Sequence, residues 1–226
     1  MTYNKPDTDN TIVLTAMAGV IAAILVGIGE YLLHFDAQAR FADGGYGFML
    51  GISDSRSTLG HFFGVFGACL YPVGCYHIQQ MLKPANSRWS FAAFLIGSMG
   101  FMVGVVWIGS RASISAIAQL PPTPELQHLT QLYELRYESL LQVIRLTTLF
   151  ISVVFVWLTV SGRSYYPRWM AIFNPIVLII ASFLIYLINP GIGKHLMPIA
   201  LNVAFLVFFS LSLLVAVTRK RDNTIT

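Results

Sequence analysis

The sequence predicts an all-α fold: a polytopic membrane bundle of six transmembrane helices, forming one domain over residues 1–226, with both termini cytoplasmic. Three observations predict it. Six apolar segments punctuate the chain, and about 20 apolar residues at 1.5 Å of rise each are enough to cross a bilayer. The composition is 56% hydrophobic and only 11% charged, roughly half the charged fraction of an ordinary soluble domain, with a mean hydropathy of +0.68. The basic residues are also distributed unevenly between the two sides that six crossings define.

The first span covers residues 11–36. The ten residues before it are polar, and the apolar run is longer than a signal-peptide core with no small-residue cleavage site after it, so it reads as a retained span. No charge occurs from Ile12 to Ile28. The small residues Ala16, Gly19, Ala23 and Gly27 step by 3, 4 and 4, which is one helix face, and further steps of 3 and 4 reach Glu30 and His34. A close-packing stripe therefore ends at an acid and a base. The second span, 58–81, repeats the pattern through His61, Gly64, Ala68, Pro72 and Cys75, and Pro72 should kink it because the Ala68 carbonyl loses its donor. The third, 89–110, continues it through Ala93, Gly97, Gly100, Gly104, Trp107 and Arg111. Three small-residue faces with ionisable tips are expected to converge on one outward-facing pocket.

The fourth span, 139–160, has an extramembrane start over 124–138, where Thr123 caps, Pro124 takes the first helical position and Glu125 meets the positive end of the helix dipole. Glu134, Glu138, Gln142 and Arg145 step by 4, 4 and 3 down this helix, and Arg145 is expected to pair with Glu30 at similar depth. Residues 36–57 read as an outer, lid-like loop, with Gly44, Gly45, Gly47 and Gly51 among Tyr46, Phe48 and Met49, and its part from Phe41 to Gly51 is expected to close over the site. The last spans, 169–188 and 196–217, carry Asn174-Pro175, which reads as a kink, and Asn189-Pro190-Gly191, which reads as a helix stop, and they read as scaffold. Cys69 and Cys75 lie six apart, turn to different helix faces and match no metal or redox spacing.

Of the 14 basic residues, eight fall on the side of the termini: Lys5, Lys83, Arg88, Arg163, Arg168, Arg219, Lys220 and Arg221. Five fall on the other side: Arg40, Arg56, Arg111, Arg136 and Lys194; Arg145 lies within a span. The positive-inside rule then puts the termini in the cytoplasm. A net charge of +4 is too small to suggest a nucleic-acid partner. Membrane lipids are the expected partners, together with a second copy of the chain or another membrane subunit.

Gly29-Glu30, Arg56 with Leu59-Gly60, and the stretch from Tyr71 to Ala85 with Gly74, His77 and Lys83-Pro84-Ala85 resemble a family of small six-helix bacterial membrane proteins of undescribed function, over about the first half of the chain. The resemblance implies the span count, a role for Glu30 and a bacterial inner-membrane location, and it carries no activity.

The chemistry-bearing groups gather at the outer ends of the first four spans. Glu30, His34 and His61 are the candidates for acid and base work, and Arg111 and Arg145, with Glu138 and Trp107, are the candidates for holding an anionic amphiphile that a lipid-facing site could admit sideways. No cofactor is expected; the alternative for Glu30, His34 and His61 is a two-histidine, one-carboxylate zinc set. Two other functional readings stay open: an accessory subunit whose buried charges form a structural ion-pair network, and a transporter. The second is disfavoured by the apolar cytoplasmic half of every span.

Overall fold

The computed structural model describes residues 5–40 and 45–225, and these contain helices and no strand. The α-helices are α1 (Lys5–His34), α2 (Asp54–Ala68), α3 (Tyr71–Leu82), α4 (Ser87–Ala118), α5 (Pro124–Val160), α6 (Pro175–Ile188), α7 (Pro190–Leu196) and α8 (Ala200–Ile225). Helix α1 is the hub and packs on α2, α3 and α8, while α4 bridges α2 and α3 to α5.

The α1–α2 contact is backbone on backbone. A Cβ placed on Gly29 would stand 2.5 Å from the Gly64 nitrogen, so only glycine permits this approach. At the end of α1, Arg56 in the first turn of α2 donates from Nη2 to the carbonyls of Phe35 at 2.7 Å and Tyr31 at 3.3 Å. Both carbonyls stand at the C-terminal end of α1, where a cation is favoured, and that of Tyr31 also accepts from the Phe35 amide, so Arg56 caps α1 and fixes the hairpin.

The expected kink in the second span is a full break at Cys69 and Leu70, with Pro72 in the first turn of α3. Cys69 is exposed and Cys75 buried, as their spacing predicts. Thr123 accepts from the Leu126 amide and Pro124 opens α5, again as predicted.

The six apolar segments become five helical stretches long and apolar enough to cross a membrane, plus one shorter helix. The short one is α6, 14 residues long, because Asn174 ends the 3₁₀ segment Arg168–Phe173 and caps α6 through the Ile176 and Val177 amides. At one end of the bundle Arg219 lies 3.8 Å from Asp9 and 3.4 Å over the Tyr165 ring, and the Tyr165 amide donates to the Met81 carbonyl. At the other end His195 stacks on Phe35 at 4.7 Å and its Nδ1 lies 2.8 Å from the Tyr31 hydroxyl. Residues 168–188 therefore lead from one end of the bundle to the other.

The connection between α1 and α2 dips into the bundle over its described part. Met49 and Ile52 are fully buried beside Leu33 and Ile108, around the 3₁₀ turn Gly47–Met49. Residues 41–44, including Phe41 and Gly44 of the expected lid, lie outside the described residues. Asp36 anchors the start of this loop: Arg40 donates Nε and Nη2 to its two oxygens at 2.8 and 2.9 Å, and the Arg40 amide donates to Oδ2 at 3.0 Å. These bonds hold the Asp36 carboxyl down at about 2.

Candidate functional site: a cavity around a buried arginine

A cavity of about 380 Å³ lies between α1, α4, α5 and the start of α8. Its walls are mostly apolar, from Val26, Ala68, Phe101, Ile108, Leu141, Ile144 and Leu201, and its polar groups are Glu30, His34, Arg111, Tyr71, Asn202 and, at the rim, Arg145. The small stripe of the third span builds one wall as expected: Gly100 and Gly104 pack toward Thr147 and Ile144 on α5, and Trp107 and Arg111 follow one turn and two turns later.

Arg111 is the centre. It is 3% exposed, and among the described residues no carboxylate oxygen lies within 4.0 Å of its guanidinium. Its Nε donates to His34 Nε2 at 2.5 Å, while its Nη1 is buried without a hydrogen-bond partner. Since Nε2 accepts, the ring proton of His34 sits on Nδ1, and the Pro198 carbonyl accepts it. Aromatic rings enclose the guanidinium: Tyr137 at 4.0 Å, Phe48 at 5.3 Å, Trp107 at 5.6 Å and Tyr46 at 5.7 Å from Cζ. Such contacts offset part of the desolvation cost of a cation but leave its N–H donors unused. The Trp107 Nε1–H is likewise buried and unpartnered. Outside the membrane-spanning helices, burial pushes Tyr46 up to about 12, so its hydroxyl keeps its proton.

Glu30, 5% exposed, is held from the opposite wall. Asn202 Nδ2 donates to Glu30 Oε2 at 2.5 Å, and the Tyr71 hydroxyl donates to Asn202 Oδ1 at 2.5 Å. Glu30 Oε1 has no protein partner among the described residues. Asn202 and Tyr71 were missed by the sequence reading, which took the last helices as scaffold. A lone asparagine in the apolar run Leu201–Phe205 was the available signal, since polar groups inside such helices seldom lack a function.

Glu30, His34, Trp107 and Arg111 thus meet in one cavity, whereas three other expected participants do not. His61 lies on the α2–α4 surface, with Nδ1 3.1 Å from the Gly109 carbonyl, because Gly60 and Gly64 form the α2 face that meets α1. The zinc set of Glu30, His34 and His61 is therefore not assembled, and no group of three metal-binding side chains occurs among the described residues. Arg145 does not pair with Glu30. It is 56% exposed at the cavity rim and lies 3.8 Å from Glu138, itself 49% exposed and outside the cavity lining. The cause is that α5 buries Tyr137, Ile144, Thr147 and Ile151 instead, which turns Glu138 and Arg145 outward.

A second buried histidine sits far from this cavity. His77 Nδ1 lies 2.9 Å from the Ile12 carbonyl and Nε2 lies 2.6 Å from Ser212 Oγ, which is 2.7 Å from the Tyr166 hydroxyl. His77 and Ser212 are fully buried and line no cavity described here.

Comparison with curated proteins and with solved structures finds no match to this chain. A family model matches residues 3–118 and 129–219, well beyond the first half of the chain to which the sequence resemblance extended. The chain belongs to the family of unknown function DUF6796.

Proposed function

We propose that the chain crosses the bacterial inner membrane six times with both termini cytoplasmic, and that the Arg111 cavity opens toward the outer side and binds an anionic amphiphile. The unused Nη1 donor of a buried arginine in a mostly apolar cavity is the observation that carries the binding reading. Leaving such a donor unsatisfied costs about 1–3 kcal/mol, more for a charged group, and an anion removes that cost. The apolar walls suit a hydrocarbon tail.

The sixth crossing rests on residues 168–188. Six residues of 3₁₀-helix and 14 of α-helix give roughly 33 Å of rise, close to the thickness of a bilayer core. The gathering of Asp9, Met81, Tyr165 and Arg219 at one end agrees with this path, and the excess of basic residues there supports a cytoplasmic side for that end. On the same scheme residues 124–138 stand outside the membrane, and the loop from Tyr46 to Ile52 covers the cavity.

A structural ion-pair network is less well supported, since Arg145 and Glu138 meet at an exposed rim and Arg111 has no carboxylate partner. Turnover of the bound molecule is a second reading, favoured by one observation: only one oxygen of Glu30 is occupied, so the other can give or take a proton.

The test is a competition among detergent-solubilised lipids on the full chain. Saturable binding of phosphatidylglycerol or a long-chain carboxylate, with none of phosphatidylcholine, is the expected result. Equal binding of charged and zwitterionic lipids contradicts the proposal. For turnover, Glu30→Gln keeps binding and loses product formation; full activity in that variant removes Glu30 from the chemistry.

A further inference from the structure

We infer that the occupant of the Arg111 cavity is a single-chain, monoanionic carboxylate of medium length, a fatty-acid-like molecule, and not a diacyl phospholipid. The inference rests on the reading of Arg111 as an anion site and narrows it on three counts.

Size is the first. A volume of 380 Å³, set against about 30 Å³ for each water-sized group, accommodates roughly a dozen non-hydrogen groups, which is one short chain with its head. A diacyl phospholipid is several times larger.

The direction of approach is the second. The rings of Tyr137, Phe48, Trp107 and Tyr46 surround the Arg111 guanidinium, and His34 takes Nε, so an anion meets it at the terminal Nη edge. The unpartnered Trp107 Nε1–H belongs to the same wall. A planar carboxylate matches a guanidinium edge with its two oxygens, whereas the ester groups of a glycerolipid would have to lie against Val26, Phe101, Ile144 and Leu201, whose side chains carry no donor.

Charge is the third. Arg111 is the one buried cation of the cavity among the described residues, and it shares that space with the Glu30 carboxyl. Arg145, the other cation of the lining, is 56% exposed and lies 3.8 Å from Glu138, so the interior holds one cation beside one acid, which favours a monoanion over a phosphate monoester.

The experiment uses the full chain with Trp89, Trp157 and Trp169 replaced by Phe, leaving Trp107 as the reporter. These three residues are exposed and lie away from the cavity lining. The probe is ω-bromodecanoate, whose bromine quenches a tryptophan that it touches, with decanoate, methyl decanoate, decyl phosphate and phosphatidylglycerol as competitors. The expected result is saturable quenching reversed by decanoate, with every other competitor at least about tenfold weaker. Arg111→Gln abolishes it and Arg111→Lys keeps part of it, while the competitor series on unaltered Arg111 needs no variant to fold. Phosphatidylglycerol or decyl phosphate competing as well as decanoate overturns the single-chain carboxylate and leaves the anionic site standing. Methyl decanoate competing equally, or no saturable quenching together with no phosphatidylglycerol binding, overturns both.

Discussion

His34 and His77 are both buried histidines on helices that meet the centre of the bundle, yet their surroundings differ in kind. Around His77 the polar groups close on one another: the Ile12 carbonyl and Ser212 take up the two ring nitrogens, and Tyr166 in turn bonds Ser212. Around His34 the network stays open, because Arg111 spends Nε on the ring, keeps Nη1 unpaired and lines 380 Å³ of space. A satisfied buried network ties elements together, here α1, α3, α8 and the segment at Tyr166. An unsatisfied one costs stability, and under the proposed function a bound anion completes it. Burial alone does not separate the two; the state of the donors does.

The contrast predicts opposite signs on substitution. Arg111→Gln should cost the most in function, about a hundredfold in affinity for an anionic amphiphile, because a charge-assisted hydrogen bond contributes on the order of 1.5–3 kcal/mol. The ligand-free variant should melt no lower than the parent, since an unpaired buried charge has been removed. A titration and a thermal melt on the same preparations check both halves. Ser212→Ala should do the reverse, leaving affinity unchanged and lowering unfolding free energy by about 2–3 kcal/mol in mixed micelles, because His77 and Tyr166 lose their shared partner. Unchanged stability there would collapse the distinction between the two histidines.

Asp36→Asn tests the outer loop and carries a pH signature. The folded-state value is depressed to about 2, so the contribution of the carboxylate is complete above the unfolded value of about 3.9 and is lost as pH falls toward 2. Discounted for the partly exposed Arg40, it amounts to about 1–2 kcal/mol. The gap between parent and variant should narrow by about half from pH 6 to pH 3; parallel curves would remove the ion pair from the stability of the loop. Arg145→Gln should have the smallest effect, within about 1 kcal/mol, as fits an exposed pair at 3.8 Å. A loss of about 3 kcal/mol would return Arg145 to an internal role.

The membrane-type helices, the break near Pro72, the Thr123 cap and the meeting of Glu30, His34, Trp107 and Arg111 were legible in the sequence, because small-residue stripes and capping signals are local. The errors share one geometry. His61 follows Gly60, Glu138 follows Tyr137 and Arg145 follows Ile144, and in each pair the first residue is on the packed face. One residue is about 100° around a helix, so a polar stripe drawn one position off points to the surface. In α5 the polar spacing competed with an apolar one, and burial of apolar area decided the rotation. Asn202 and the loop residues around Phe48 reach the cavity only through tertiary packing, which spacing along the chain does not encode. The length of α6 was misjudged for a different reason: Asn174 caps a new helix where a kink was expected.

The most direct test of the account is to locate ω-bromodecanoate bound to the full chain by anomalous scattering from its bromine. The account predicts the carboxylate within hydrogen-bond distance of the Arg111 guanidinium and the bromine among Val26, Phe101 and Leu201. Bromine found only on the outer surface of the bundle, with the Arg111 guanidinium turned onto Glu30, would contradict it.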